Sequence, residues 1–216
     1  MCKMLIEPLQ VFKIVKHKDI GDKMKKIEVH ITPILEGTII DFEATHWDVK
    51  KGELITAGFL SKEGIVILQR LELTEGEFKK RVIEEIQTKR RPWYAFNKEF
   101  EEKFLPIVTD KELQISERES AFGALLEEGL LDHYGLLCDP LFNEEIYRFW
   151  DAWKSTKDMV FVSKIVRHNY CCLAKEYYLK QKRIDKLDVN EIKRFPSSAQ
   201  IEKRFIRKQL DFLSSK

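Results

Sequence analysis

The stretch Gly37–Thr45, GTIIDFEAT, constrains this chain most. Thr38, Ile39 and Ile40 form a short β-branched, apolar run, the composition of a buried strand. Asp41 and Glu43 close that run two residues apart, so the strand period turns both carboxylates to one side. Two like charges on one face repel unless a cation lies between them. In open α/β sheets, ligands bind in the crevice outside the carboxyl ends of the strands. The segment therefore reads as a core strand delivering a divalent-metal site. The plainer alternative is an acidic strand–loop junction.

The surrounding pattern predicts an α/β fold. Leu54–Leu60 and Ile65–Leu68 are strands joined by the turn Ser61–Gly64, which makes three antiparallel strands in succession. Thr74 and Glu77 have capping-box spacing, and Phe78, Val82, Ile83 and Ile86 give the helix that follows an apolar face. That helix should end in the basic run Lys89–Arg91, ahead of Pro92. Trp93–Phe96 is a short aromatic strand, parallel to the first and reached by the helical crossover. Lys98–Phe104 continues as a helix or tight turn, and Leu105–Thr109 as a loop or short strand.

Further helices are expected over 117–135, within Glu144–Trp153, from about Val160 to Tyr178 with a break near His168–Asn169, over Asp188–Lys193, and over Ser198–Leu213. Val11–Val15 and Ile27–Thr32 read as strands that add an antiparallel edge or form an arm. The expected organisation is 1–36 as N-terminal strands or arm, 37–180 as the principal domain, and 181–216 as a basic helical extension packed on it. His17 and His30 read as ordinary polar residues.

The apolar fraction of 44% at 216 residues describes a folded domain rather than a disordered chain. Net charge is only +2, but its distribution is uneven. Residues 99–145 hold 13 Asp/Glu against 3 Lys/Arg, and residues 152–216 hold 16 Lys/Arg against 7 Asp/Glu. Such a split suits a metal site beside a polyanion contact, or two surfaces that neutralise each other in a homo-oligomer. Cys2, Cys138, Cys171 and Cys172 have no CxxC spacing, which argues against a zinc knuckle and a disulfide framework. No apolar run reaches the length of a membrane span, and Met1–Gln10 is too polar for a signal peptide, so a cytoplasmic location is expected.

Three segments in order, IIDFEAT, AFNKEFEEKFLP and IVRHNYCCLAKEYYL, resemble the exonuclease motifs of the ribonuclease H-like, DnaQ-type superfamily. The resemblance covers about residues 37–180, and its nearest branch has a third motif of the form H-N-x-x-D. It implies a ribonuclease H-like mixed sheet, three antiparallel strands followed by parallel ones, flanked by helices. It also implies a 3′–5′ exonuclease on single-stranded nucleic acid, DNA favoured over RNA, using two Mg²⁺ or Mn²⁺ ions. By position, Asp41 resembles the carboxylate that bridges the two ions and Glu43 the one that holds the water-activating ion. Glu101 stands where the family usually has Asp, and His168 where it has a general base or water-orienting group. Thr45, Asn97, Phe100 and Asn169 fall at substrate-binding positions, with Trp47 nearby as a stacking platform for a terminal base.

Cys172 departs from the motif, because it occupies the place of the last acidic metal ligand. A thiolate is a soft donor and a poor partner for Mg²⁺. Glu176, one helical turn later, or His168 itself could stand in for it.

The chemistry agrees with this layout: two cations about 3.5–4 Å apart can activate the attacking oxygen and stabilise the leaving one. Read without the motifs, Glu101 is a solvated helix residue, His168 a polar helix residue, and Lys180, Lys182, Arg183, Lys203, Arg204, Arg207 and Lys208 a solvated basic face rather than phosphate contacts. The alternatives to the exonuclease are a catalytically weakened nucleic-acid-binding module and an endonuclease of the same fold.

Overall fold

The computed structural model describes residues 23–105, 111–112, 139, 141, 146–183 and 195–213, with the side chains of 111–112, 182–183 and 207–213 left undescribed. The expected strand Val11–Val15, His17, Cys2, Cys138, the expected helix over 117–135 and that over Asp188–Lys193 lie outside the described residues. So do residues 106–109 of the segment expected after Leu105.

The strands are β1 (Met24–Val29), β2 (Thr38–Ala44), β3 (Leu54–Ser61), β4 (Gly64–Arg70), β5 (Trp93–Ala95) and β6 (Lys111–Glu112). They form one mixed sheet in the order β1-β4-β3-β2-β5-β6. β2, β3 and β4 are successive antiparallel neighbours, β5 runs parallel to β2, and β6 runs parallel to β5. β1 pairs antiparallel with β4, so Met24–Val29 adds an antiparallel edge to the sheet. The helices are α1 (Glu75–Gln87), α2 (Lys98–Phe104), α3 (Ile146–Thr156), α4 (Met159–Arg183) and α5 (Ser198–Leu213). The result is a mixed α/β fold with helices on both faces of the sheet. Among the described residues no helix is long and apolar enough to cross a membrane.

Strand parity decides what each face meets. Ile40 and Phe42 of β2 join Ala57, Phe59 and Leu68 in a core closed by Phe78, Val82 and Ile86 of α1. Ile39 turns the other way, into a core with Ile55, Ile65 and Ile67 that is covered by Val162, Ile165, Val166, Tyr170, Leu173 and Tyr177 of α4. Those α4 residues recur every three or four positions, so one stripe of the helix is buried. Burying each such side chain is worth about 1.5–3 kcal/mol. Asp41 and Glu43 share the parity of Ile39, so the sheet aims both carboxylates at α4. α5 packs outside α4, where Tyr170 Oη donates to Pro196 O at 2.6 Å and Arg167 Nη1 pairs with Glu202 Oε2 at 2.6 Å.

Local signals act largely as read. Thr74 and Glu77 complete both halves of the capping box on α1. The helix stops at Gln87, two residues short of the basic run, because Thr88 Oγ1 turns back to bond Glu85 O at 2.7 Å. Between α3 and α4 the chain turns at Lys157, which adopts a positive φ of 58°. Gly37, at φ 85°, lets the chain enter β2 against β5; a Cβ there would lie 2.1 Å from Pro92 O.

The break expected near His168–Asn169 does not occur: α4 runs 25 residues without interruption. Asn disfavours helix interiors when its side chain competes for nearby backbone. Here the Asn169 amide is engaged by β2 instead, so it leaves the helix ladder intact.

Candidate metal and nucleic-acid site

The site forms where the C-terminal half of β2 faces the middle of α4. Asn169 Nδ2 donates to Asp41 Oδ2 at 2.7 Å, to Asp41 O at 3.0 Å and to Glu43 Oε1 at 3.4 Å. Gly58 of β3, registered opposite Asp41, leaves the room: a Cβ there would fall 2.1 Å from Asn169 Oδ1. A missing side chain on β3 thus permits a side chain of α4 to reach β2.

His168 lies between two carboxylates. Its Nδ1 is 2.8 and 2.9 Å from the two oxygens of Asp139, and its Nε2 is 3.7 Å from Glu43 Oε1. Lys175 Nζ donates to Asp139 Oδ2 at 3.0 Å, one turn beyond Cys172 on α4. Cys172 Sγ is 3.7 Å from His168 Nε2. Glu43 is buried and offers an oxygen to the same space. Among the described residues, Glu43, His168 and Cys172 bring one donor atom each within 4.8 Å of one another, a group able to hold a metal ion.

Glu101 and Glu176 add two further carboxylates, each only 3% exposed. Glu101, on α2, accepts from the Phe42 backbone N–H, which puts it beside β2 next to Asp41. Its Oε2 has no hydrogen-bond partner among the described residues, and neither has Glu176 Oε2 or Asn169 Oδ1. Burial raises Glu101 well above the usual carboxylate range, and the Asp41 charge adds to the effect. Burial does the same to Glu176, followed by the charges of Asp41, Glu101 and Glu43. Asp41 rises to about 6, again through burial, with His168 pulling the other way. Glu43 rises well above its usual value for the same reasons.

Burial would lower His168, but Glu43 and Asp139 outweigh it and raise the imidazole to about 9. As the side chains stand, the ring holds its proton through neutral pH, above the value of 6.5 that suits a general base. Asp139 is held low: burial opposes this, but His168 and Lys175 prevail. Burial pushes the Cys172 thiol up, partly countered by Lys175. Asp41, Glu43, Glu101, Glu176 and Asp139 therefore face two cationic side chains. A buried excess of carboxylate is costly unless protons or a cation offset it.

The remaining sequence-derived residues divide. Thr45 Oγ1 accepts from Glu53 N at 2.9 Å and its own N–H donates to Glu53 O at 3.0 Å, so it ties the β2–β3 loop. Trp47 in that loop is 71% exposed and stacks on His46 with ring centroids 5.8 Å apart. Asn97 precedes α2 and makes no side-chain cap. Phe100 packs against Phe104 at 5.1 Å, toward the α1 face and away from Asp41.

Two further residues of the site, Asp139 and Lys175, carry little signal in the sequence. Asp139 lies 29 residues from His168 in a segment without helical or strand periodicity, and no local pattern marks it. Lys175 follows Cys172 by three positions, and that helical spacing is the one signal available.

Compared with known protein families, with curated proteins and with solved structures, the chain gives no match.

Proposed function

We propose that this chain is a metal-binding, nucleic-acid-engaging module of the ribonuclease H-like, DnaQ-type fold, with a weakened hydrolytic step. The observation that carries this reading is the Glu43–His168–Cys172 group at the end of β2. A divalent cation there would neutralise the facing carboxylates and offer its remaining positions to a phosphate oxygen. The mixed sheet, antiparallel from β1 through β2 and parallel through β5 and β6, with helices flanking it, is compatible with that fold. Trp47, exposed in the loop that follows β2, supports a nucleic-acid partner, because a stacked ring tolerates any base. Cys172 supports the weakened chemistry: it supplies sulfur where hydrolysis with a hard ion calls for oxygen.

Binding of a fluorescent single-stranded oligonucleotide, followed with Mg²⁺, with Mn²⁺ and in chelator, tests the reading. Retention of the strand with little or no cleavage under Mg²⁺ is expected. Folded protein that binds no strand under any of these conditions removes it.

One observation favours a second reading, an active 3′–5′ exonuclease. Glu101 and Glu176 each bury an oxygen with no partner among the described residues, and together with Asp41 and Glu43 they make four carboxylates whose charges act on one another. Glu176 would then serve in place of Cys172 as the fourth acidic ligand of a two-ion Mg²⁺ or Mn²⁺ site. Shortening of an end-labelled strand separates this reading from the first. Cutting of a circular single strand would indicate an endonuclease instead.

A further inference from the structure

Histidines that bind metals donate one ring N–H to a carboxylate or carbonyl, which fixes the tautomer and aims the other nitrogen. His168 is held in this way. Both oxygens of Asp139 accept at Nδ1, Lys175 fixes Asp139 from behind, and Nε2 is left facing Glu43 and Cys172. The two separations from Nε2, to Glu43 Oε1 and to Cys172 Sγ, are both 3.7 Å. A tetrahedral ion with bonds of ~2.0–2.3 Å sets its nitrogen, oxygen and sulfur donors about 3.3–3.6 Å apart. Both separations from His168 Nε2 lie within a few tenths of an ångström of that spacing, and the Glu43 and Cys172 donors lie within 4.8 Å of each other, so side-chain rotation of Glu43 and Cys172 closes the group onto such an ion.

The donor set also selects the ion. Mg²⁺ takes near-octahedral oxygen ligands and holds its water tightly, so a thiolate and an imidazole serve it poorly. One sulfur, one nitrogen and one carboxylate oxygen suit a borderline ion with no geometric demand of its own, which is Zn²⁺ or its mimic Co²⁺. Three protein donors and an open fourth position describe a reactive rather than a closed structural zinc site.

We propose that Glu43, His168 and Cys172 bind a single Zn²⁺-class ion, with Asp139 as the positioning residue for His168. This rests on the reading of the β2–α4 junction as a metal site and names the ion it takes. A structural His168–Asp139 ion pair alone would take up no metal.

The test is a Co²⁺ titration of the full chain after chelator treatment, followed by Zn²⁺ competition. Expected are tetrahedral visible bands with a thiolate-to-cobalt charge-transfer band, all erased by one equivalent of Zn²⁺ and unaffected by excess Mg²⁺. Cys172→Ser should lose the charge-transfer band, and Asp139→Asn should weaken Co²⁺ binding about 10–100-fold with the band retained. Cys172→Asp should shift the preference toward Mn²⁺ and Mg²⁺. Co²⁺ bound without the sulfur band, or displaced equally well by Mg²⁺, overturns the zinc assignment while leaving a metal-binding module. Folded wild-type protein that binds none of these ions overturns both.

Discussion

Replacing Gly58 with alanine probes the junction without touching any charged group. The new Cβ would lie 2.1 Å from Asn169 Oδ1, 3.0 Å from Asn169 Cγ and 2.8 Å from Leu173 Cδ1. Ordinary contact requires Asn169 to retreat by more than about 1 Å. That movement breaks the Asn169 Nδ2 bonds to Asp41, at 2.7 and 3.0 Å. The bond to the Asp41 carboxylate contributes about 1.5–3 kcal/mol, that to its backbone carbonyl about 0.5–1.5 kcal/mol, and overpacking a filled core costs about 1–3 kcal/mol. With partial relaxation the net loss should be roughly 3 kcal/mol. His168 precedes Asn169 directly, and Cys172 lies three positions on, so the same displacement should move both and lower metal affinity at least about tenfold.

Urea unfolding followed by tryptophan fluorescence gives the first quantity, and isothermal titration with Zn²⁺ or Mn²⁺ gives the second. Gly76→Ala is the control, since a Cβ there meets nothing within 4 Å, and this helical site should gain about 0.5–1 kcal/mol. A Gly58→Ala protein within ~0.5 kcal/mol of wild type, with unchanged ion affinity, would refute the account of Asn169 as the strut between β2 and α4.

Glu101→Gln and Glu176→Gln should each raise the thermal midpoint in chelator at pH 8, because each removes a buried, poorly compensated carboxylate; both should blunt the gain on adding metal. Lower midpoints in chelator for both would contradict this. The protein in chelator should lose stability as pH rises. Asp41 contributes stability that is complete below 3.8 and lost as pH passes about 6, and His168 stability that is complete below 6.5 and lost as pH passes about 9. Asp139 and Glu202, held low, act oppositely and weaken the fold as pH falls into the carboxylate range. Thermal melts across pH 4–10 should therefore peak on the mildly acidic side; a midpoint still climbing at pH 9 would refute the assignment. Trp47→Ala should leave stability within ~0.5 kcal/mol and weaken single-strand binding by about 1–3 kcal/mol, read by anisotropy, with an unchanged affinity counting against the stacking role.

The legible parts of the site are those that obey a local period. The alternation of β2 separates Asp41 and Glu43 from Ile40 and Phe42, and the facing of the two carboxylates toward one layer follows from it. The capping box and apolar stripe of α1 are local in the same sense. Continuity of α4 through Asn169 is not, because the group that engages its amide lies 128 residues earlier. Without the motif resemblance, Glu101 reads as a solvated helix residue, because nothing near it in sequence reveals the Phe42 N–H that it accepts from. Asp139 is the extreme case: its role comes wholly from His168 and Lys175 across the fold. Cys172 was visible as a departure from a motif, but its meaning depends on the direction in which His168 Nε2 points.

The most direct measurement is anomalous diffraction at the zinc edge from crystals grown with Zn²⁺. One strong peak is expected at the β2–α4 junction, about 2.0–2.3 Å from Glu43 Oε1, His168 Nε2 and Cys172 Sγ, with Asp139 still on Nδ1. A junction without a peak, its side chains unchanged and zinc bound only at the surface, would contradict it.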